Sequence, residues 1–281
     1  MSIKNNFESL SIAIEKTSKF HLQLLTIVNK DLFLINNYLS RSNELLEIRD
    51  AIYLIKKCSD IYNTTISLIK NKEFYQCKIL YRSLIEHYLK AQYIIFSLDK
   101  DINFSRNYHL YGQIEEFITY LKNKNIHNFL TKSPLLNEWE EVYKNFHVIN
   151  QLNKNQIQSE IQKFNIKTII KKIAEIFESF PQIHDHFEVI LESYASCSMF
   201  VHASPSAGDY FQDKNNYEDE EFFDLINMVT MPILMIFDTL KTIIIYSRIK
   251  YKIQTESFDI LNTSLHEIAE NFKNKESFLS E

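Results

Sequence analysis

A chain of 281 residues that holds two glycines and four prolines has few ways to turn sharply. An ordinary sequence is roughly 7% glycine and 5% proline. Sheets spend these residues at hairpins and bulges, whereas long helices do without them. The shortage therefore predicts an all-α chain with short connections. Hydrophobic residues make up 45% of it, enough to fill a substantial core.

Apolar periodicity gives about eight to nine helices in one bundle. The first covers 3–39, with Phe7, Leu10, Ile14, Phe20, Leu24 and Ile27 on one side and a break expected near Asn29 to Asp31. Asn43 is placed to cap a second helix that runs to about Lys70. Further helices are expected over 75–98, 103–122 and 135–146. Another begins at an Asn165 or Thr168 cap and ends near Ile176. Pro181 suits the first turn of the next, to about Val201. The stretch 203–209, Ala-Ser-Pro-Ser-Ala-Gly-Asp, is the strongest loop signal, and acidic residues 218–221 then open a long helix to about Tyr251. Pro232 should kink it, and a tail helix over 257–273 closes the chain. No repeat or linker divides the sequence, so one domain is expected over 1–281, with 123–155 its softest part.

The helix at Tyr75 to Ile95 differs from the rest. Ile79, Leu80, Leu84, Ile85, Tyr88, Leu89, Tyr93 and Ile94 leave it almost no wet face, which marks a central, buried element. Yet Arg82 and Glu86 sit in its middle, four residues apart, where they can pair. A buried guanidinium left unpaired costs several kcal/mol, so the fold must satisfy it. Tyr194, Ser198 and His202 form a second constellation, again spaced by four, at the end of a helix just before the proline-containing loop. Two roles are open to each group. Arg82 with Glu86 is either a structural ion pair or part of a reactive centre. His202 either caps its helix or is a titratable group aimed at a cleft. The two constellations are expected to meet.

The stretches Tyr81 to Glu86 (YRSLIE), Lys167 to Phe177 and Tyr194 to Pro205 (YASCSMFVHASP) resemble DUF5677, a bacterial family of helical proteins without a settled activity. The likeness covers about 45–245 and departs from the family pattern at Ala203. The first stretch is also similar to the HEPN motif, an arginine with a polar neighbour and a histidine a few residues on, here Arg82, Ser83 and His87. That resemblance implies a HEPN-like bundle in which two protomers join their motifs and cleave RNA without metal. RNA carries its own nucleophile, the 2′-hydroxyl. Arg82 would hold the phosphate, His87 or His202 would move the proton and Glu86 would orient one of them. Tyr194, Ser198, Lys167 and Lys171 would bind the substrate. On the helix, however, His87 lies about 140° around from Arg82. The implied biology is a toxin or defence effector. The alternative is a non-enzymatic helical module that binds a protein or a small ligand.

Other chemistries find no footing. His184 and His186 project to opposite sides of a helix, and no HExxH or carboxylate–histidine repeat is present, so no metal is expected. With only Gly112 and Gly208 there is no phosphate-cradling loop, and no cofactor is expected. A net charge of −5 argues against duplex DNA as a partner. Cys58, Cys77 and Cys197, without a CxxC, read as reduced core thiols of a cytoplasmic protein. The most apolar window, Met228 to Phe237, reads as a core helix and no membrane is expected as partner.

Overall fold

The computed structural model describes residues 3–41, 46–178, 181–202 and 219–273. Among them there is no strand. Ten α-helices follow in order: α1 (Ile3–Arg41), α2 (Leu46–Lys70), α3 (Phe74–Ser97), α4 (Phe104–Leu130), α5 (Glu138–Asn145), α6 (Lys154–Lys163), α7 (Ile166–Phe177), α8 (Pro181–Val201), α9 (Asp219–Tyr251) and α10 (Phe258–Lys273). That exceeds the expected eight to nine. The extra helix is α6, which Asn153 and Gln156 start with a reciprocal capping box at the end of the soft 123–155 stretch.

Two other boundaries move, and one alternative is decided. α1 does not break at Asn29 to Asp31, because Asp31 is buried and serves a distant helix end. α4 runs eight residues past the expected Lys122, to Leu130. At α7 the cap is Asn165, whose side chain accepts from the Lys167 amide at 3.0 Å; Thr168 lies within the helix. Pro232 stands inside α9 without ending it. The Asn43 cap and the 203–209 loop lie outside the described residues, as do the side chains of 218–221.

Lysines, in place of glycine, make two of the helix stops. Lys72 and Lys132 adopt left-handed backbone, φ 61° and 56°, directly after α2 and α4. The Lys72 amide bonds Ile69 O and the Glu73 amide bonds Leu68 O, at 3.0 and 2.9 Å. The same pair recurs from Lys132 to Phe129 O and Ser133 to Asn128 O, at 3.2 and 2.8 Å. These are Schellman closures, usually built on glycine.

α3 is the central element. It packs against α2, α4, α7, α8 and α9. Leu84, Leu89 and Ile94 on it are fully buried, and each such side chain contributes about 1.5–3 kcal/mol by leaving water. α9 lies across α1, α2 and α3, α10 packs on α9 and α1, and α5 and α6 pack on α4. Within α9, Asp224–Tyr251 is long and apolar enough to cross a membrane by length and composition, more so than the ten-residue window suggests; 67% of its apolar window is buried inside the protein. Polar ties join the apolar layers. Gln92 of α3 donates to Thr239 of α9 at 2.9 Å, with both residues buried.

Candidate functional site

α8 runs antiparallel to α3. At one end Tyr75 donates its hydroxyl to Phe200 O at 2.9 Å, and in the middle Arg82 meets Ser198 and Glu86 meets Tyr194. The spacing of four on each helix produces this ladder, since residues one turn apart stack on one face.

The central contacts form a closed hydrogen-bond network. Arg82 Nε donates to Ser198 Oγ at 3.0 Å. Arg82 Nη2 donates to Tyr194 Oη at 3.1 Å and pairs with Glu86 Oε1 at 3.0 Å. The Tyr194 hydroxyl in turn donates to Glu86 Oε1 at 3.1 Å, and Ser198 donates to Tyr194 O at 2.8 Å. Each hydroxyl therefore accepts once from Arg82 and gives its single hydrogen elsewhere. The guanidinium also lies 5.1 Å from the centroid of the Tyr194 ring. The Arg82 and Glu86 side chains keep 17% and 25% of their exposure. Burial, and then the Glu86 carboxylate, push the Tyr194 hydroxyl above its ordinary pKa, with Arg82 opposing both. The Tyr194 hydroxyl thus keeps its hydrogen and gives it to Glu86.

The face continues one turn toward the start of α3. Lys78, four residues before Arg82, has a side chain only 6% exposed. Its ammonium stands 3.4 Å from Asp224 of α9 and 4.7 Å from the centre of the Phe200 ring. Cys197 lies beside it, its thiol pushed up to about 12 by burial. Neither Lys78 nor Asp224 is among the residues that the sequence singles out. The signal for Lys78 was available, since Lys78, Arg82 and Glu86 repeat at four; nothing in the sequence marks Asp224 as its partner.

Of the residues singled out in the sequence, the structure brings Arg82, Glu86, Tyr194 and Ser198 together. His87 faces elsewhere: its Nδ1 is 2.7 Å from Ser83 O, one turn back on its own helix. His202 is exposed, one turn beyond Ser198, and its described contact is a backbone bond from its amide to Ser198 O. Lys167 and Lys171 are exposed on α7. That helix ends against the far part of α3, where Phe177 meets Phe96. Position 96 lies about 21 Å along the α3 axis from position 82, at 1.5 Å per residue, and Lys171 acts on Glu175 together with Lys100, just past the end of α3, so Lys171 stands away from Arg82. Among the described residues no three His, Cys, Asp or Glu side chains could hold a metal ion together.

These features define a class: an all-α bundle whose central helix carries an arginine–glutamate pair, bound by the tyrosine and serine of an antiparallel helix. Residues 51–219 match the sequence profile of DUF5677, a family of unknown function, and the chain belongs to that family. The matched range contains α3 and all of α8, and therefore the whole Arg82 network. No curated protein and no solved structure matches the chain.

Proposed function

We propose that this chain is a non-enzymatic helical binding module in which the Arg82 network fixes the register of α3 against α8. The observation that carries this reading is the occupancy of Arg82. Its Nε and Nη2 are spent on Ser198, Tyr194 and Glu86. Beside it stands a carboxylate that would repel a phosphate, and neither His87 nor His202 bonds to it. A buried polar network with matched donors and acceptors serves as a register device. Exposed apolar side chains at the end of α4 support this reading. Ile126, Phe129, Leu130 and Leu135 are 61–74% exposed there. Asn125 and Asn128 tie the following connection back to this helix end by bonds to Leu136 and Pro134. Exposed apolar groups held close together are the mark of a protein-docking surface.

A second reading keeps the HEPN-like function: an RNA-binding or RNA-cleaving dimer, acting as a toxin or defence effector in the cytoplasm. It is favoured by the remaining exposure of Arg82 and Glu86 and by His202 standing exposed one turn away. In this reading Arg82 turns its free N–H groups to a phosphate and His202 moves the proton.

One experiment separates the two. Wild type, Arg82→Ala and His202→Ala are purified, melted and incubated with labelled single-stranded RNA. The module reading expects intact RNA in every tube and a lowered melting temperature for Arg82→Ala alone. Cleavage by wild type that disappears in a folded Arg82→Ala or His202→Ala protein would overturn it and establish the RNA reading.

A further inference from the structure

A cleft of about 350 Å³ lies where α3, α8, α9 and α10 come together, and Tyr88, Ile190, Met231, Met235, Leu265 and Ala269 contribute to its walls. The volume is at the lower end of the range for small-molecule sites. One turn of a helix with its side chains fills roughly 400 Å³. The space therefore suits a small molecule and not a segment of another chain.

The cleft exists because its walls belong to separate packing pairs. α8 packs on α3 and α7, whereas α10 packs on α9 and α1. On α10, Asn262, Leu265, His266 and Ala269 share one face by their spacing, and that face lines the cleft.

Exposure sorts the lining. Tyr88, Ile190, Met231, Met235 and Leu265 are all buried. Asp238 and Lys241 are half-buried, and Asn262 and His266 are exposed. Apolar groups thus form the floor and polar groups the mouth.

Asp238 and Lys241 cancel each other at that mouth. Lys241 Nζ pairs with Asp238 Oδ1 at 2.8 Å and reaches Asn262 Oδ1 at 3.4 Å. Burial pushes the Tyr88 hydroxyl above its ordinary pKa, so it stays uncharged. An ion entering the floor would lose its water and gain no counter-charge. The lining therefore selects an uncharged guest.

The methionines narrow the class. Met231 and Met235, two of five in the chain, stand one turn apart in this lining. An unbranched thioether re-packs around guests of different shape and makes favourable contacts with aromatic rings. Tyr88 adds a flat ring to the same lining.

We propose that this junction binds a small, uncharged aromatic molecule, its ring held among Tyr88, Met231, Met235 and Leu265. The site shares no residue with the Arg82 network and does not depend on which reading of that network holds.

The test follows the methionine methyl groups by nuclear magnetic resonance in the full chain, labelled at those methyls. It is titrated near neutral pH with benzyl alcohol, benzoate and benzylamine, which carry the same ring with no charge, a negative charge and a positive charge. Benzyl alcohol should shift the Met231 and Met235 methyls saturably and leave Met199, exposed on α8, in place. Benzoate and benzylamine should bind at least about tenfold more weakly, because burying either charge costs more than the 1.4 kcal/mol that tenfold represents. Ala269→Leu puts the side chain of a good helix former into the space and should abolish the shift, with circular dichroism checking the fold. Absence of a saturable shift at Met231 and Met235 in wild type overturns the proposal, whatever the variant does. Benzoate or benzylamine binding as tightly as benzyl alcohol overturns it too, as does unchanged binding by a folded Ala269→Leu protein.

Discussion

Arg82 of α3 and Ser198 of α8 stand 116 positions apart in the chain, and their side chains meet at 3.0 Å. Ser198 can receive that bond because it gives its own hydrogen to Tyr194 O, and Tyr194 is fixed by the same arginine. Removing Arg82 therefore exposes three partners at once. Arg82→Ala should cost about 2–4 kcal/mol, somewhat below the loss for a fully buried pair because water still reaches part of the network. Arg82→Lys should recover only part, since an ammonium lacks the planar fork that spans Ser198 and Tyr194 together. Urea unfolding of the three proteins measures both steps. A lysine variant as stable as wild type would mean that charge alone matters and the geometry does not.

Lys132 offers a stabilising change. It carries left-handed backbone, φ 56°, at the stop of α4, where a side chain strains against its own carbonyl. Lys132→Gly should raise stability by about 0.5–1 kcal/mol, the relief being partly offset by greater freedom of the unfolded chain. For a protein of this size that is a rise of about 1–4 °C in melting temperature. No gain at Lys132, or a loss, would show that its side chain contributes contacts that outweigh the strain.

The same lysines explain where the sequence misled. With so little glycine, helix stops carry no written signal: periodicity ends α4 at Lys122, whereas its Schellman closure is at Lys132. Asp31 looked like a break because a carboxylate in a helix interior usually faces water or ends the helix. Its partners at Glu256 and Ser257 lie more than 220 residues away and are invisible to periodicity. The centre of the fold was legible, because the apolar density of α3 leaves only one place for it. So was the meeting of Arg82 with Ser198, because a charge inside an apolar helix must find partners and the Tyr194 to His202 stretch offered them. His87 could be read as turned away from Arg82 by helical angle alone. What stayed hidden was the pairing of Lys78 with Asp224 and the cleft beside Met231 and Met235, which require knowing how α8, α9 and α10 lie about α3.

His21 makes stability depend on pH. It is 9% exposed, edge-on to Tyr62 and Phe237 at 5.6 and 5.5 Å, and its Nε2 has no hydrogen-bond partner among the described residues. Burial lowers its pKa from the ordinary 6.5. The folded protein thus binds its proton less readily than the unfolded chain. Stability is undiminished above about pH 6.5 and falls as pH drops from there toward the folded pKa, by up to about 1.4 kcal/mol per unit of difference. His21→Phe keeps an aromatic ring and removes the titration. Melting temperatures recorded from pH about 7.5 to 5 should fall less steeply for the variant than for wild type. Parallel curves would assign the acid sensitivity to other groups.

Asp31 ties the two ends of the chain together. It is 1% exposed on α1, and its carboxylate accepts from the Ser257 amide at 2.8 Å, the Glu256 amide at 3.1 Å and the Ser257 hydroxyl. Ser257 O then accepts from the Leu261 amide at 2.8 Å, the first turn of α10. A negative charge at this end also matches the helix dipole. The neighbouring Lys30–Glu256 pair is well exposed, at 67% and 74%, and adds little. Asp31→Ala leaves backbone donors without an acceptor in a dry site and should cost about 2–4 kcal/mol. Asp31→Asn, which keeps one acceptor oxygen, should cost roughly half as much. Amide exchange at Ser257 and Leu261 separates a local release of α10 from global loss. In Asp31→Ala these two amides should exchange far faster than the amides of α3, whereas equal acceleration throughout would mean that the carboxylate supports the whole bundle and not one helix end.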